Sequence, residues 1–152
     1  MTIRTYEQTD WDAISRIHDA ARKIELQLAG LEKAFLPLEI AAKKEGLFEY
    51  PGLFIAEENG KVAGFLACTE EELAWLYIDP LKMRKGIGRK LTEHALKLFP
   101  GIYCVEALKG NEPARKLYES FGFALMGTET GQMPGNEDFT VEVYSLRRPQ
   151  AL

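Results

Sequence analysis

Cysteine is scarce in this chain: only Cys68 and Cys104 occur in 152 residues. Each lies in an apolar, β-branched or aromatic run with no second cysteine or histidine at metal-ligand spacing, so free buried thiols are expected and a metal centre is not. No window approaches the roughly 18 consecutive apolar residues that a membrane span needs, and Met1-Thr2-Ile3-Arg4-Thr5-Tyr6-Glu7 lacks the apolar core of a signal peptide. A cytoplasmic protein with no membrane partner is therefore expected. Excess positive charge is missing as well. A formal net charge of −4 argues against an overall grip on nucleic acid, which needs clustered Lys and Arg to displace counterions. The Walker pattern Gly-x-x-x-x-Gly-Lys-Ser/Thr is absent, which argues against a nucleoside-triphosphatase loop. Neither repeats nor a linker interrupt the chain.

What is present is the composition of an ordinary globular protein. The length suits a single domain over residues 1–152 and suffices for a continuous core; 46% hydrophobic and 28% charged residues leave no support for disorder. Ile3 to Tyr6 reads as a short strand. Thr9 and Asp12 stand at capping-box-like spacing before Trp11, Ile14, Ile17 and Ala21, a helical stripe. Ile24 to Tyr50 is helix-prone, with Pro37 suited to a first turn and Gly30 and Gly46 to breaks. Leu53–Ala56 and Val62–Cys68 flank Glu58-Asn59-Gly60-Lys61, whose Asn-Gly pair predicts a two-residue hairpin turn. Leu73–Ile78 is a strand stopped by Asp79-Pro80, and Ile87, Leu91, Ala95 and Leu98 mark a helix face ending before Pro100. Ile102–Leu108 reads as strand, Glu112–Ser120 as helix and Phe123–Met126 as strand. The polar segment from Thr128 to Asp138, with its glycines and proline, reads as loop before a closing strand at Val141–Tyr144. This order predicts an α/β (α+β) fold: a mixed sheet of about seven strands with helices on both faces. His18 and His94 each lie beside a helical apolar stripe, so a packed or half-exposed side chain is expected at both.

Chemistry concentrates between a strand and a helix. Five of the nine residues from Lys82 to Lys90 are basic and none is acidic, in a chain that is otherwise acidic. A helix N-terminus presents unpaired N–H groups and about half a positive charge, which suits phosphate. Gly86 and Gly88 remove Cβ atoms that would block close approach, and Arg84, Lys85, Arg89 and Lys90 can pair with phosphate oxygens. The plain alternative is a tight turn with a solvated basic helix start. A dinucleotide site is a rival, because Gly86-x-Gly88 fits half of Gly-x-Gly-x-x-Gly and Glu106 follows about 20 residues on. Against it, Leu91 stands where the third glycine belongs. Seven residues also separate Ile78 from Gly86, whereas that fingerprint follows its strand almost directly.

Met83-Arg84-Lys85-Gly86-Ile87-Gly88 resembles the Gln/Arg-x-x-Gly-x-Gly/Ala signature of the GNAT superfamily of acyl-CoA-dependent N-acyltransferases, with Met83 departing at the first position. A second block looks like the family's Asn-x-x-Ala-x-x-x-Tyr: Asn111-Glu112-Pro113-Ala114-Arg115-Lys116-Leu117-Tyr118, followed by Gly122-Phe123. The resemblance covers Leu53 to Phe123 and is weak over the first fifty residues, where the family varies with its acceptor. It implies a mostly antiparallel GNAT-like sheet and transfer of an acetyl group from acetyl-CoA to a primary amine of a small molecule or protein.

The resemblance also implies roles. Leu76, Tyr77 and Ile78 would receive the pantetheine arm, and Arg84, Lys85, Gly86, Ile87, Gly88 and Arg89 the pyrophosphate. Asn111 would be a further contact, though it reads equally as a helix N-cap. Tyr118 matches the acid that protonates the departing thiolate; alone it would read as a core tyrosine. A backbone N–H at Tyr77 or Ile78 would serve the oxyanion. Glu72 and Glu106 match positions of the base in different branches. Glu106 sits in an otherwise apolar strand, where burial would raise its pKa, whereas Glu72 belongs to Glu70-Glu71-Glu72, which also reads as a solvated turn. Phe48, Tyr50, Trp75 and Tyr77 are candidate walls of an acceptor pocket. A homodimer through a terminal strand is an assembly the resemblance allows. A noncatalytic acyl-CoA sensor and a dinucleotide oxidoreductase stand as alternatives.

Overall fold

The computed structural model describes residues 1–149. In chain order the elements are β1 (Thr2–Thr5), α1 (Trp11–Leu28), α2 (Leu38–Glu45), β2 (Gly52–Glu58), β3 (Lys61–Cys68), β4 (Glu72–Ile78), α3 (Ile87–Leu98), β5 (Cys104–Leu108), α4 (Glu112–Ser120), β6 (Ala124–Met133) and β7 (Asn136–Arg147). The strands make one seven-stranded sheet in the order β1-β2-β3-β4-β5-β7-β6. Every neighbouring pair is antiparallel except β4 and β5. A doubly wound parallel sheet, which a dinucleotide site would require, is not what this chain builds.

Alternation along the strands divides the core. Leu53 and Ile55 of β2, with Phe65 and Ala67 of β3, pack against Ile14 of α1 and Leu38 of α2. Phe54, Ala56 and Leu66 point the other way, onto Ile87, Leu91 and Ala95 of α3. In β4 the register shifts between the pairs Ala67↔Trp75 and Cys68↔Leu73, which inserts Ala74 as an extra residue. This bulge turns Leu73 toward α3 while Trp75 and Tyr77 face α1.

Asn59 at φ 52° and Gly60 at φ 77° form the two-residue turn between β2 and β3, as their sequence predicts. Pro37 precedes α2, and Gly46 at φ 65° ends it. The start of α1 differs from expectation: the acid that organises it is Asp10, neither Thr9 nor Asp12. Asp10 accepts the Glu7 N–H at 2.9 Å and grips the Arg4 guanidinium with both oxygens at 2.8 Å. The expected loop from Thr128 to Asp138 is instead the heart of a long β6–β7 hairpin. Its outward residues are polar because β6 is an edge strand. Its glycines serve a register shift near Gly127 and the turn at Gly135, φ 77°.

Candidate active site

Pairing between β4 and β5 stops after Glu72↔Cys104 and Leu73↔Val105. Beyond it the strands diverge, and a cavity of about 830 Å³ passes between them, lined by α3 and α4 on one face and by α1 and α2 on the other.

On the first face α3 opens at Gly86, φ 77°, with no side chain capping its first turn. The N–H groups there stay free for an anion. Arg84 also adopts positive φ, 66°, and Arg84, Gly86, Ile87, Gly88 and Arg89 line the cavity with Lys82. Lys85 turns away, 3.5 Å from Glu58, and is not in the wall. The two glycines act differently from one another. A Cβ at Gly86 would meet nothing within 4 Å, so the backbone angle is what demands glycine; at Gly88 it would sit 3.3 Å from Leu117 Cδ2, so glycine lets α3 close on α4. Arg89 donates to Ser120 Oγ at 2.9 Å. Leu76, Ile78 and Leu117 give the adjoining wall its apolar surface. A phosphate cradle continuous with an apolar channel fits a diphosphate on a pantetheine-like arm.

At the junction stands a residue that sequence reasoning missed. Glu25 of α1 accepts from Arg22 Nη1 at 2.5 Å and from the Tyr77 hydroxyl at 3.4 Å on one oxygen, and from Asn111 Nδ2 at 2.9 Å on the other. Asn111 in turn caps α4, accepting the Ala114 N–H at 3.3 Å. Tyr118 is buried and meets Phe123 edge-to-face at 6.3 Å. Among the described residues its hydroxyl has no partner, yet no buried side-chain oxygen or nitrogen among them is left unpartnered. The hydroxyl therefore opens onto the cavity that Tyr118 lines. Burial first, and then the charge of Glu25, push its pKa well above the ordinary tyrosine value. Tyr77 is raised by the same two causes in the same order.

On the second face Glu72 and Glu106 both reach the cavity. Of the three consecutive glutamates, Glu70 and Glu71 are exposed and Glu72 is half-buried. Burial and the neighbouring Glu106 raise the Glu72 pKa; partial burial and Glu129 raise that of Glu106. The enclosed setting expected for Glu106 is not found. β5 has parted from β4 at this level, leaving much of the Glu106 side chain in solvent while its carboxyl is only partly screened. Glu45, at the end of α2, is the more perturbed acid: burial raises it to about 7, opposed by Arg22 and helped by Glu137. Tyr50, Trp75 and Tyr77 line this side. Phe48 does not; it stacks outside with Tyr6 and Trp11, at 5.3 and 5.8 Å. Arg22 and Glu25, which drew no reading in the sequence, recur with His18 at i, i+4 and i+7 along α1, polar positions on a core-facing stripe. That spacing is the signal that would have found them.

Residues 49–125 match the sequence profile of the acetyltransferase (GNAT) domain. The chain belongs to the GNAT acetyltransferase family. Acetyltransferases of this family use acetyl-CoA as donor. The chain is 30% identical to YwnH of Bacillus subtilis, named as a putative phosphinothricin acetyltransferase, over 97% of this chain and 96% of that one. It is 34% identical over 79 residues, 52% of this chain and 54% of the other, to the peptidyl-lysine N-acetyltransferase YjaB of Salmonella typhimurium. YncA of Salmonella typhimurium, solved with its cofactor acetyl-CoA, shares the fold with a TM-score of 0.71 at 21% identity, over 98% of this GNAT chain and 92% of that one. Among the described residues no group of three His, Cys, Asp or Glu side chains is placed to hold a metal ion. No helix among them is long and apolar enough to cross a membrane.

Proposed function

We propose that this GNAT chain, acting as one catalytic domain, moves the acetyl group of acetyl-CoA to a primary amine bound on the α1/α2 side of the cavity. One observation carries the reading: the parted β4 and β5 join a phosphate cradle to a carboxylate-lined chamber through a single cavity, and the unpartnered Tyr118 hydroxyl opens into it. In this reading the backbone amides of residues 86–88, with Arg84 and Arg89, hold the pyrophosphate. Leu76, Tyr77 and Ile78 flank the arm, and an N–H of Tyr77 or Ile78 serves the oxyanion. Tyr118, kept protonated by burial, supplies the proton to the departing thiolate. Glu72 and Glu106, with raised pKa values, take the first proton of an acceptor that arrives as ammonium, through water. The carboxylates of Glu45, Glu72 and Glu106 favour a cationic acceptor, which a small amine, a lysine side chain or a free N-terminus supplies.

The test is release of free thiol from acetyl-CoA against a panel of small amines, amino acids and peptides, with thermal melting alongside. Thiol release with at least one amine is expected, as is stabilisation by CoA and not by NAD. Stabilisation by CoA with no turnover on any amine would make the chain a sensor. Stabilisation by neither would remove the reading.

A further inference from the structure

His18 of α1 is 2% exposed. Its ring meets Tyr77 edge-on at 4.8 Å and leans on Trp75 at 5.9 Å. As expected, it is packed; it is also wired. Nδ1 lies 2.9 Å from Asp19 Oδ1, an oxygen that also accepts the Leu38 N–H at 2.9 Å. A carboxylate oxygen placed to accept takes the imidazole as a donor, so Nδ1 carries the proton and Nε2 keeps its lone pair. Among the described residues Nε2 meets no protein partner, yet no buried side-chain nitrogen among them is left unpartnered. It therefore reaches open space, and the space His18 lines is the reaction cavity. Burial holds the imidazole below its usual pKa, opposed by Asp19 and Glu25 and assisted by Arg22. The Tyr77 ring of β4 faces it, Tyr50 and Glu45 at the far end of α2 line the same cavity, and α2 adds the Leu38 backbone. A neutral ring fixed by an acid at one nitrogen and open at the other is the arrangement of a base.

We propose that His18 Nε2 takes the proton shed by the acceptor nitrogen as the new amide forms, with Asp19 holding the ring in the receiving tautomer. The proposal rests on the acetyl-transfer reading. An amine that arrives as ammonium must lose two protons, and one goes through water to Glu72 or Glu106 before attack. Attack then forms the N–C bond at the thioester carbonyl, moves the carbonyl π pair onto oxygen and leaves nitrogen cationic. Nitrogen so bonded is far more acidic than the free ammonium, so a weak base suffices. His18 takes that proton. Collapse re-forms C=O and breaks C–S, and the thiolate takes its proton from Tyr118. The imidazolium proton returns through cavity water to the Tyr118 oxygen, so the residues end as they began and one proton reaches solvent.

The test uses the full chain and an amine that the wild type acetylates. His18→Ala should lower kcat about 10²-fold or more with little change in KM for acetyl-CoA, and added imidazole should restore part of the loss in a saturable way. The restored rate should follow the neutral fraction of the added imidazole across pH, a response that a packing role would not give. Asp19→Asn, which keeps an oxygen for Leu38, supplies a second reading should the alanine variant unfold. Loss of the carboxylate weakens the imidazole as a base, so the acid limb of the kcat profile should move to lower pH with a reduced plateau. A fully active His18→Ala, a folded and impaired one that imidazole does not rescue, or an unmoved Asp19→Asn profile overturns the proposal. A wild type that acetylates no amine overturns the acetyl-transfer reading instead.

Discussion

Replacing Tyr118 by phenylalanine removes one oxygen and keeps the ring. Because that oxygen has no protein partner among the described residues and the ring is what packs on Phe123, stability should change by less than about 1 kcal/mol. Turnover should respond very differently. A positioned general acid contributes about 10²- to 10⁴-fold, equal to about 3–5 kcal/mol of barrier at roughly 1.36 kcal/mol per decade. The loss should fall on kcat, with KM for acetyl-CoA nearly unchanged, since the proton is needed only as the C–S bond breaks. The wild type carries a second signature. With its pKa raised above the ordinary value of 10.0 by burial and by Glu25, Tyr118 stays protonated through the alkaline range, so it should impose no alkaline limb below about pH 10. Steady-state thiol release between pH 6 and pH 10, with a melting curve for each protein, measures all of this. A Phe variant within twofold of wild-type turnover would refute the assignment and turn Tyr118 into a packing residue.

Gly86→Val places a β-branched residue at φ 77° with room for its side chain. It should cost about 1–2 kcal/mol of backbone strain, spare the fold and weaken CoA-dependent stabilisation in thermal melts; unchanged CoA stabilisation would place the pyrophosphate elsewhere. Glu45 is an acid whose folded pKa, about 7, lies above its ordinary 4.5. Folding therefore favours its protonated form, and its contribution to stability declines as pH rises from about 4.5 to about 7. The full shift corresponds to about 3 kcal/mol, and solvent screening of a partly exposed carboxyl reduces this to about 1–2 kcal/mol. Glu45→Gln should be more stable than wild type at pH 8 and nearly equal at pH 4 by denaturant titration; equal stability at both would contradict the burial.

Local signals served where one element decides the outcome. Asn59-Gly60 dictated its turn, Pro37 and Gly46 bounded α2, and the Gly86 junction with the Asn111–Tyr118 block marked the family and one face of the cavity. What stayed hidden depended on contacts far apart in sequence. Asp10 organises the start of α1 because Arg4 of β1 reaches it, a pairing that no helix rule contains. The β6–β7 hairpin read as loop because an edge strand carries polar residues and because Pro134 and Gly135 mark the turn between its two strands. Glu106 looked buried from the apolar residues beside it, but the parting of β4 and β5 is a property of the sheet. His18, beside an apolar stripe, read as packing, and Arg22 and Glu25 drew no reading, since which positions along α1 meet a cavity is set only when the helix lands on β4.

Glu25 ties α1, on the side proposed to take the acceptor, to the segment that matches the family profile. Its two oxygens bolt α1 to Tyr77 of β4 and to the cap of α4. The opening fifty residues, where the family diverges, are thus not a cartridge to be exchanged at will. A transplanted first helix would have to bring an acid to the same spot, or the capping asparagine and the Tyr77 hydroxyl would be stranded by a change made to suit the other substrate.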